Sequence, residues 1–289
     1  MAILSDDHVS QFQRDGYVVV RQAVTGASLE AAQRQLADWV EESRSQTANW
    51  GTCMDGKARF DVAEGHSAEC PLLRRISNPT EISDVIKGIL FDSAIPDAIT
   101  DLIGPNVKFH HCKINVKLPG SPTYVGWHQD HAFDPHTNDD VVVALLLLDD
   151  VTEDMGPLMV VPGSHKTPLS LFNDGRYTGT IGEEHHAGFE QSAVPLTGKA
   201  GDVVLQHTWM VHGGGPNTTD RPRALLICDY TAADAFALTP PAMPSAQYGQ
   251  IVRGEATRFA RLTDTVIELP EAYEDDSFFG LQGQKAAAE

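Results

Sequence analysis

Apolar positions change their period about a third of the way along the chain. In the first hundred residues they recur with helical spacing. Ser5 can cap a helix that runs to Asp15 and stops at Gly16, and Tyr17-Val18-Val19-Val20 then makes a short β-rich run. A second helix opens at Ser28, with Leu29, Ala32, Leu36 and Trp39/Val40 on one stripe. Residues 47–65 mix Gly, Asn and Asp without a period and read as a loop. Pro79-Thr80-Glu81 begins a helical stretch to about Leu90, and Pro96, in a first turn, begins another that ends at Gly104-Pro105. From Val107 the pattern shortens to β-branched runs parted by Gly, Pro, Asn and Asp. These occupy 107–118, 124–128, 141–149, 157–161, 192–196, 202–206, 209–212 and 223–230. Short strands at close spacing without helices between them predict an antiparallel sandwich or barrel, and the long loop 167–191 is a candidate lid. Beyond Thr231 the chain reads as a wrapping segment and a tail, with acidic residues Glu271, Glu274, Asp275 and Asp276. Without a linker or repeat, the expectation is one domain: a mostly helical part over 1–106, a β core over 107–231 and a C-terminal segment over 232–289.

Composition narrows the classes. The 289 residues are 42% hydrophobic and 21% charged, which is ordinary for a globular chain able to bury a core. Lys plus Arg number 21 against 40 Asp plus Glu, for a net charge of −19. That argues against nucleic acid, whose binding needs a basic face, and against an anionic membrane surface. The longest apolar run, Val141 to Leu148, is strand-length and falls short of the ~20 residues of a membrane span. The N-terminal residues lack the basic-then-apolar pattern of a secretory signal, and Cys53, Cys70, Cys112 and Cys228 form no CxxC. The expectation is reduced thiols in a cytoplasm and a small-molecule substrate. Oligomeric state leaves no mark in the sequence.

The candidate chemistry lies among the 12 histidines, which crowd the middle of the chain. In Trp127-His128-Gln129-Asp130-His131, an extended backbone sends His128 and Asp130 to one face. Such a triplet is common, and taken alone it reads equally well as a satisfied core pair. A second histidine run, His207 to His212, ends on Gly213-Gly214-Gly215, where glycine permits close approach. His207 and His212 would face opposite sides of a strand, so His212, beside the turn, is the candidate. If 209–212 and 223–230 are neighbouring strands joined by that loop, Arg223 lies inside near His212. A buried guanidinium needs either an anionic ligand or an internal Asp or Glu. Two histidines and a carboxylate on one side of a metal form the facial triad of non-haem Fe(II) oxygenases. Three positions then remain, for a chelating 2-oxo acid and O2. Adjacent His110-His111 and His185-His186 are discounted as metal pairs, since neighbours on a strand point opposite ways. His165 reads as a structural turn residue.

These residues, with Asp15-Gly16-Tyr17, Gly156-Pro157-Leu158, Pro162-Gly163-Ser164-His165, Gly201-Asp202 and Arg221-Pro222-Arg223, give the chain its resemblance to the phytanoyl-CoA dioxygenase family of Fe(II)/2-oxoglutarate-dependent oxygenases. The resemblance spans roughly 5–231. It implies a double-stranded β-helix, the cupin-like jelly roll, with flanking helices. It implies His128, Asp130 and His212 as the iron ligands and catalytic centre, and Arg223 as the clamp on the far carboxylate of 2-oxoglutarate. It aligns Lys113 with a position lining the co-substrate pocket and Leu146 with a tryptophan beside it. Related halogenases have Ala or Gly in place of Asp130, so hydroxylation of an aliphatic C–H, with release of succinate and CO2, is expected. Desaturation, rearrangement or endoperoxide formation by the same machinery is the alternative, and a cupin-like metal-binding protein without turnover is the alternative of another class. Arg75, Trp127 and Phe133 are candidate substrate contacts, with Arg74, Lys117 and Tyr124 as further pocket candidates.

Overall fold

A computed structural model describes residues 2–119, 122–271 and 281–282. Glu274, Asp275 and Asp276 of the acidic tail lie outside the described residues. The first helix, α1 (Asp6–Asp15), forms where its caps dictate. Ser5 Oγ accepts from the His8 amide at 3.3 Å while His8 Nδ1 accepts from the Ser5 amide at 3.4 Å. This is a capping box with an imidazole in the usual glutamate position, and Gly16 closes the helix at φ 83°. Strand β1 (Tyr17–Val20) follows, then α2 (Gly26–Ser43), which starts two residues before Ser28.

Residues 47–65 are not all loop. They contain β2 (Phe60–Val62), which pairs with β3 (Leu73–Ser77). The charges in Leu73-Arg74-Arg75-Ile76 hid that strand. Arg74 is neutralised by Asp61 of β2, with Nη2 3.0 Å from Oδ1, and so can sit in a sheet. Helices α3 (Asp84–Asp92) and α4 (Ala94–Ile103) then lead into β4 (Val107–Lys117).

The β region continues with β5 (Val125–His128), β6 (Val141–Leu147), β7 (Leu158–Val160), the small hairpin β8 (Phe172–Asn173) and β9 (Arg176–Tyr177), α5 (His186–Ser192), β10 (Val194–Leu196) and β11 (Val203–His207). Residues 209–211 turn instead of extending, with the Met210 amide on the His207 carbonyl at 2.8 Å. Strand β12 therefore occupies His212–Gly214, followed by β13 (Arg223–Ala232) and β14 (Ile251–Arg253).

Eight strands make a large sheet in the order β1-β11-β6-β13-β4-β3-β2, with β14 beside β4. Four make a small sheet in the order β10-β7-β12-β5. All their pairings are antiparallel. Val143, Leu145, Val160, Leu196, Val204, Leu225 and Ile227 pack between the sheets. Helices α1 to α4 cover the other face of the large sheet, over Val142, Ala144, Leu146 and Leu226. Strand β6 is thus buried on both faces, which explains its unbroken apolar run. Two facing antiparallel sheets in this non-sequential order are the jelly roll, a double-stranded β-helix. Its large sheet also takes strands from the N-terminal third, which contributes β1, β2 and β3 as well as helices.

Candidate active site

Strands β5 and β12 bring the first three candidates together. His128 and His212 are direct cross-strand partners, with ring centroids 4.0 Å apart. Gln129 keeps an extended backbone (φ −122°, ψ 129°) before the turn at Asp130–Ala132, so Asp130 returns to the face of His128. The Gln129 side chain anchors the opposite face, donating to the Trp209 carbonyl at 2.6 Å and accepting from the Leu169 amide at 2.8 Å. Asp130 Oδ1 lies 3.5 Å from His128 Nε2, and Oδ2 lies 3.6 Å from His212 Nε2. One ligand atom from each of the three residues falls within 4.8 Å of the others.

The hydrogen bonds suit metal binding. His128 Nδ1 donates to the Gly126 carbonyl at 2.8 Å and His212 Nδ1 to the Met210 carbonyl at 3.0 Å. Each Nε2 therefore carries a lone pair facing Asp130, which is how outer partners orient ligating imidazoles. Burial, and then the neighbouring His128, push His212 down to about 4, so it is neutral at ordinary pH. Burial acts to raise Asp130, but the two histidines beside it prevail and hold it well below the usual carboxylate range. Fully buried Gln206 donates to Asp130 Oδ2 at 3.3 Å. Sequence reading gave no sign of Gln206, because its role depends on β11 passing behind the triad. The glycines after His212 are required by close packing. A Cβ on Gly213 would stand 2.9 Å from the Val125 carbonyl oxygen, and one on Gly214 2.8 Å from that of Pro157.

The triad opens into a cavity of about 1040 Å³, counting its mouth. The facing wall comes from β4 and β13, whose register pairs Lys117 with Arg223, Asn115 with Leu225, Lys113 with Ile227 and His111 with Asp229. All eight side chains line the cavity. Arg223 is therefore inside, but not by the expected route. Strands β12 and β13 are not neighbours; they belong to opposite sheets, and Arg223 reaches the site across the barrel.

Arg223 is 4% exposed, its Nη2 donates to the Gly156 carbonyl at 2.6 Å, and its Nε has no hydrogen-bond partner among the described residues. Lys117 Nζ shares that carbonyl at 3.1 Å and also donates to Gly214 and Gly215. Neither cation has a carboxylate within ion-pair distance among the described residues. Burial and the charge of Arg223 push Lys117 down to about 6; burial lowers Arg223 to about 10, against the pull of Asp149. A buried guanidinium beside an amine that gains its proton when an anion arrives makes a receptor for an anion.

The other candidates divide. Lys113, Arg74, Arg75 and Phe133 line the cavity. Trp127 does not. Its ring packs against Phe189, with centroids 5.7 Å apart, in the cluster outside the small sheet. Tyr124 is exposed. Leu146 faces the helices, and its neighbour Leu145 meets the cavity, so the expected position beside the co-substrate is one residue off. His110 and His111 also depart from expectation. The register jumps from Tyr230 opposite Phe109 to Asp229 opposite His111, making His110 the extra residue of a β-bulge. Both rings then lie together, their Nδ1 atoms 2.6 Å apart. His185 and His186 are not on a strand; they sit where a turn enters α5. His165 Nε2 donates to the Gln13 carbonyl at 3.2 Å.

A jelly roll whose inner wall joins two histidines and a carboxylate beside an anion receptor defines the non-haem Fe(II) oxygenase class. The chain belongs to the phytanoyl-CoA dioxygenase (PhyH) family, whose model matches residues 12–225. It is 35% identical over 226 residues to a probable alpha-ketoglutarate-dependent hypophosphite dioxygenase from Stutzerimonas stutzeri, covering 73% of this chain and 75% of that one. It is 27% identical over 248 residues to an ectoine dioxygenase from Sphingopyxis alaskensis, covering 80% and 77%. The crystal structure of EctD from S. alaskensis with 2-oxoglutarate and 5-hydroxyectoine matches with a TM-score of 0.68 at 25% identity, covering 85% of this chain and 87% of that one. The protein is an Fe(II)/2-oxoglutarate-dependent dioxygenase that uses O2, and hydroxylation is the outcome that fits.

Proposed function

We propose that His128, Asp130 and His212 hold Fe(II), and that Arg223 with Lys117 holds the far carboxylate of 2-oxoglutarate. The observation that carries this is the convergence of both Nε2 atoms on the Asp130 carboxylate, at 3.5 and 3.6 Å. When bound there, Fe(II) with 2-oxoglutarate supplies the chemistry in which O2 oxidises the oxo acid to succinate and CO2 and converts a substrate C–H to C–OH. The protein's part is positional. The Gly126 and Met210 carbonyls fix both imidazoles, and Gln206 fixes the carboxylate. Arg223 and Lys117, braced on Gly156, orient the co-substrate. Leu145, Leu158 and Leu225 keep water from its chain. Lys113 stands opposite Ile227, four residues from the Lys117–Arg223 pair and so ~13 Å along the strand. That spacing supports assigning the far carboxylate to Lys117 and leaving Lys113 to the other half of the cavity.

The substrate is a small polar molecule. Hypophosphite and ectoine, named for the relatives, are of that kind. The −19 charge supports a role away from nucleic acid and anionic membranes. No described helix is long and apolar enough to cross a membrane. The four free cysteines support a reducing, cytoplasmic setting.

The test is an anaerobic titration with Fe(II) and then 2-oxoglutarate. A weak visible charge-transfer band should appear in the wild-type protein and be lost in His212→Ala. Iron binding without the band, and without calorimetric binding of 2-oxoglutarate, would contradict the assignment and return the metal-binding protein without turnover to the front.

A further inference from the structure

Strand β5, which carries His128, lies at the end of the small sheet, with β12 on one side only. An edge strand leaves backbone groups without a sheet partner. Here two distant segments take them. The Ile181 amide, from the loop 167–191, donates to the Trp127 carbonyl at 2.8 Å. The Gly126 amide donates to Gln282 Oε1 at 2.9 Å. Gln282 uses its other end on the same loop, its Nε2 donating to the Gly179 carbonyl at 3.0 Å. One side-chain amide thus ties the loop to the strand, with its acceptor on one and its donor on the other.

Packing repeats the connection. Leu281 is 7% exposed and sits in an apolar cluster with Trp127, Tyr177 and Ile181. It fits against Gly179, where a Cβ would stand 2.6 Å from Leu281 Cδ2 and 3.5 Å from Phe133 Cε1. Gly126 is covered as closely: a Cβ there would stand 2.7 Å from Thr180 Cγ2 and 3.4 Å from Gln282 Nε2. The loop is braced on itself, with the Thr178 amide on the Leu171 carbonyl and Asn173 Nδ2 on the Thr180 carbonyl, both at 2.9 Å. A segment braced in this way moves as a unit unless something outside it holds it. Both points of attachment bear on the site. Gly126 has the most backbone freedom in β5, and its carbonyl is the one that holds His128 Nδ1. Phe133, against Gly179, lines the cavity.

Resting on the assignment of His128 to iron, we propose that Leu281 and Gln282 form a clasp that seats residues 178–182 on β5. Gln282 is a positioning residue in two directions. Through the Gly126 amide it holds the residue that orients His128, and through the Gly179 carbonyl it holds the loop against Phe133. Its acceptor end acts on the metal ligand and its donor end on the loop, so the two effects can be separated.

The test compares Gln282→Ala with Gln282→Glu in the full chain. Glutamate keeps the acceptor for the Gly126 amide and loses the donor to Gly179. Anaerobic titration reads Fe(II) affinity. Tryptic cleavage after exposed Arg176 of β9 reads the loop, with cleavage after exposed Arg34 of α2 as the reference for general unfolding. Gln282→Ala should weaken Fe(II) binding by about threefold to tenfold, less than the roughly 10–100-fold that follows loss of a ligand's direct partner. It should also speed cleavage after Arg176, relative to Arg34, by about threefold to tenfold, the effect of one lost hydrogen bond on local opening. Gln282→Glu should speed that cleavage equally yet keep Fe(II) affinity within about twofold, because the Gly126 bond survives. Leu281→Ala should behave as Gln282→Glu does. Unchanged Fe(II) affinity in Gln282→Ala, an equal loss of affinity in Gln282→Glu, or unchanged relative cleavage after Arg176 in Gln282→Ala would each overturn the proposal. Absence of the charge-transfer band with 2-oxoglutarate in the wild-type protein is a separate readout, which strikes at the site assignment beneath it.

Discussion

The two ends of the β4–β13 wall come from the same pair of strands and the same face, yet they have opposite electrostatics. Lys117 and Arg223 close one end and His111 and Asp229 the other. At the first, the Gly156 carbonyl accepts from both side chains, and burial beside Arg223 pushes Lys117 down to about 6. At the second, burial pushes Asp229 up to about 8, against the nearby charge of Lys113. His128, Asp130 and His212 look onto this wall from the small sheet. A strand period of two thus places an anion receptor and an acidic group in one cavity.

The comparison breaks most completely at the triad. His212→Ala should remove detectable turnover and lower Fe(II) affinity by more than the roughly 10–100-fold seen when only a supporting hydrogen-bond partner is lost. Iron titration followed by a succinate assay checks both. Arg223→Ala comes next. Truncating one side of a buried charge pair costs about 2–5 kcal/mol, so the KM for 2-oxoglutarate should rise roughly 30-fold or more. An unchanged KM would take Arg223 out of this role.

Lys117→Met should have a smaller effect, on the order of tenfold in 2-oxoglutarate affinity for a hydrogen bond to a charged group. It also carries a pH signature. The free protein gives up the Lys117 proton above about 6, whereas a bound carboxylate favours the protonated amine. Affinity for 2-oxoglutarate should therefore fall as pH rises above about 6, by up to about tenfold per unit, and Lys117→Met should flatten that slope. The same depressed value means that the folded protein binds fewer protons than the unfolded chain between about 6 and 10.5, so Lys117 makes stability rise with pH across that window. Calorimetry and thermal melts over pH measure the two effects. The smallest change in co-substrate binding belongs to Leu146→Ala. It should lower stability by about 2–5 kcal/mol as a core truncation yet leave the 2-oxoglutarate KM within about twofold, because Leu146 packs against the helices.

Much of this wall could be read in the chain. The β-branched runs 107–118 and 223–230 predict strands that differ by only a residue or two from β4 and β13, and the family resemblance picked out Lys113 and Arg223 on them. The HxD triplet and the glycines after His212 marked the opposite wall. What escaped depends on contacts between distant segments. The bulge at His110 is an offset of one residue against β13, invisible until the partner strand is known. Strand β3 carries Arg74 and Arg75, and Asp61, which pairs with Arg74, lies on a strand within the apparent loop 47–65. Leu145 and Leu146 are chemically identical, and only the phase of β6 decides which meets the cavity. The supposed neighbourhood of β12 and β13 failed because a jelly roll sends consecutive strands to opposite sheets.

The central claim is that the cavity holds iron at the β5–β12 wall with the co-substrate directed to its cationic end. A crystal structure of the anaerobic protein with Fe(II) and 2-oxoglutarate, with anomalous data at the iron edge, tests it most directly. The account predicts a single iron peak among His128, Asp130 and His212 and the far carboxylate between Arg223 and Lys117. Iron at the second buried group, His110, His111 and Asp134, or the carboxylate turned toward Asp229, would contradict it.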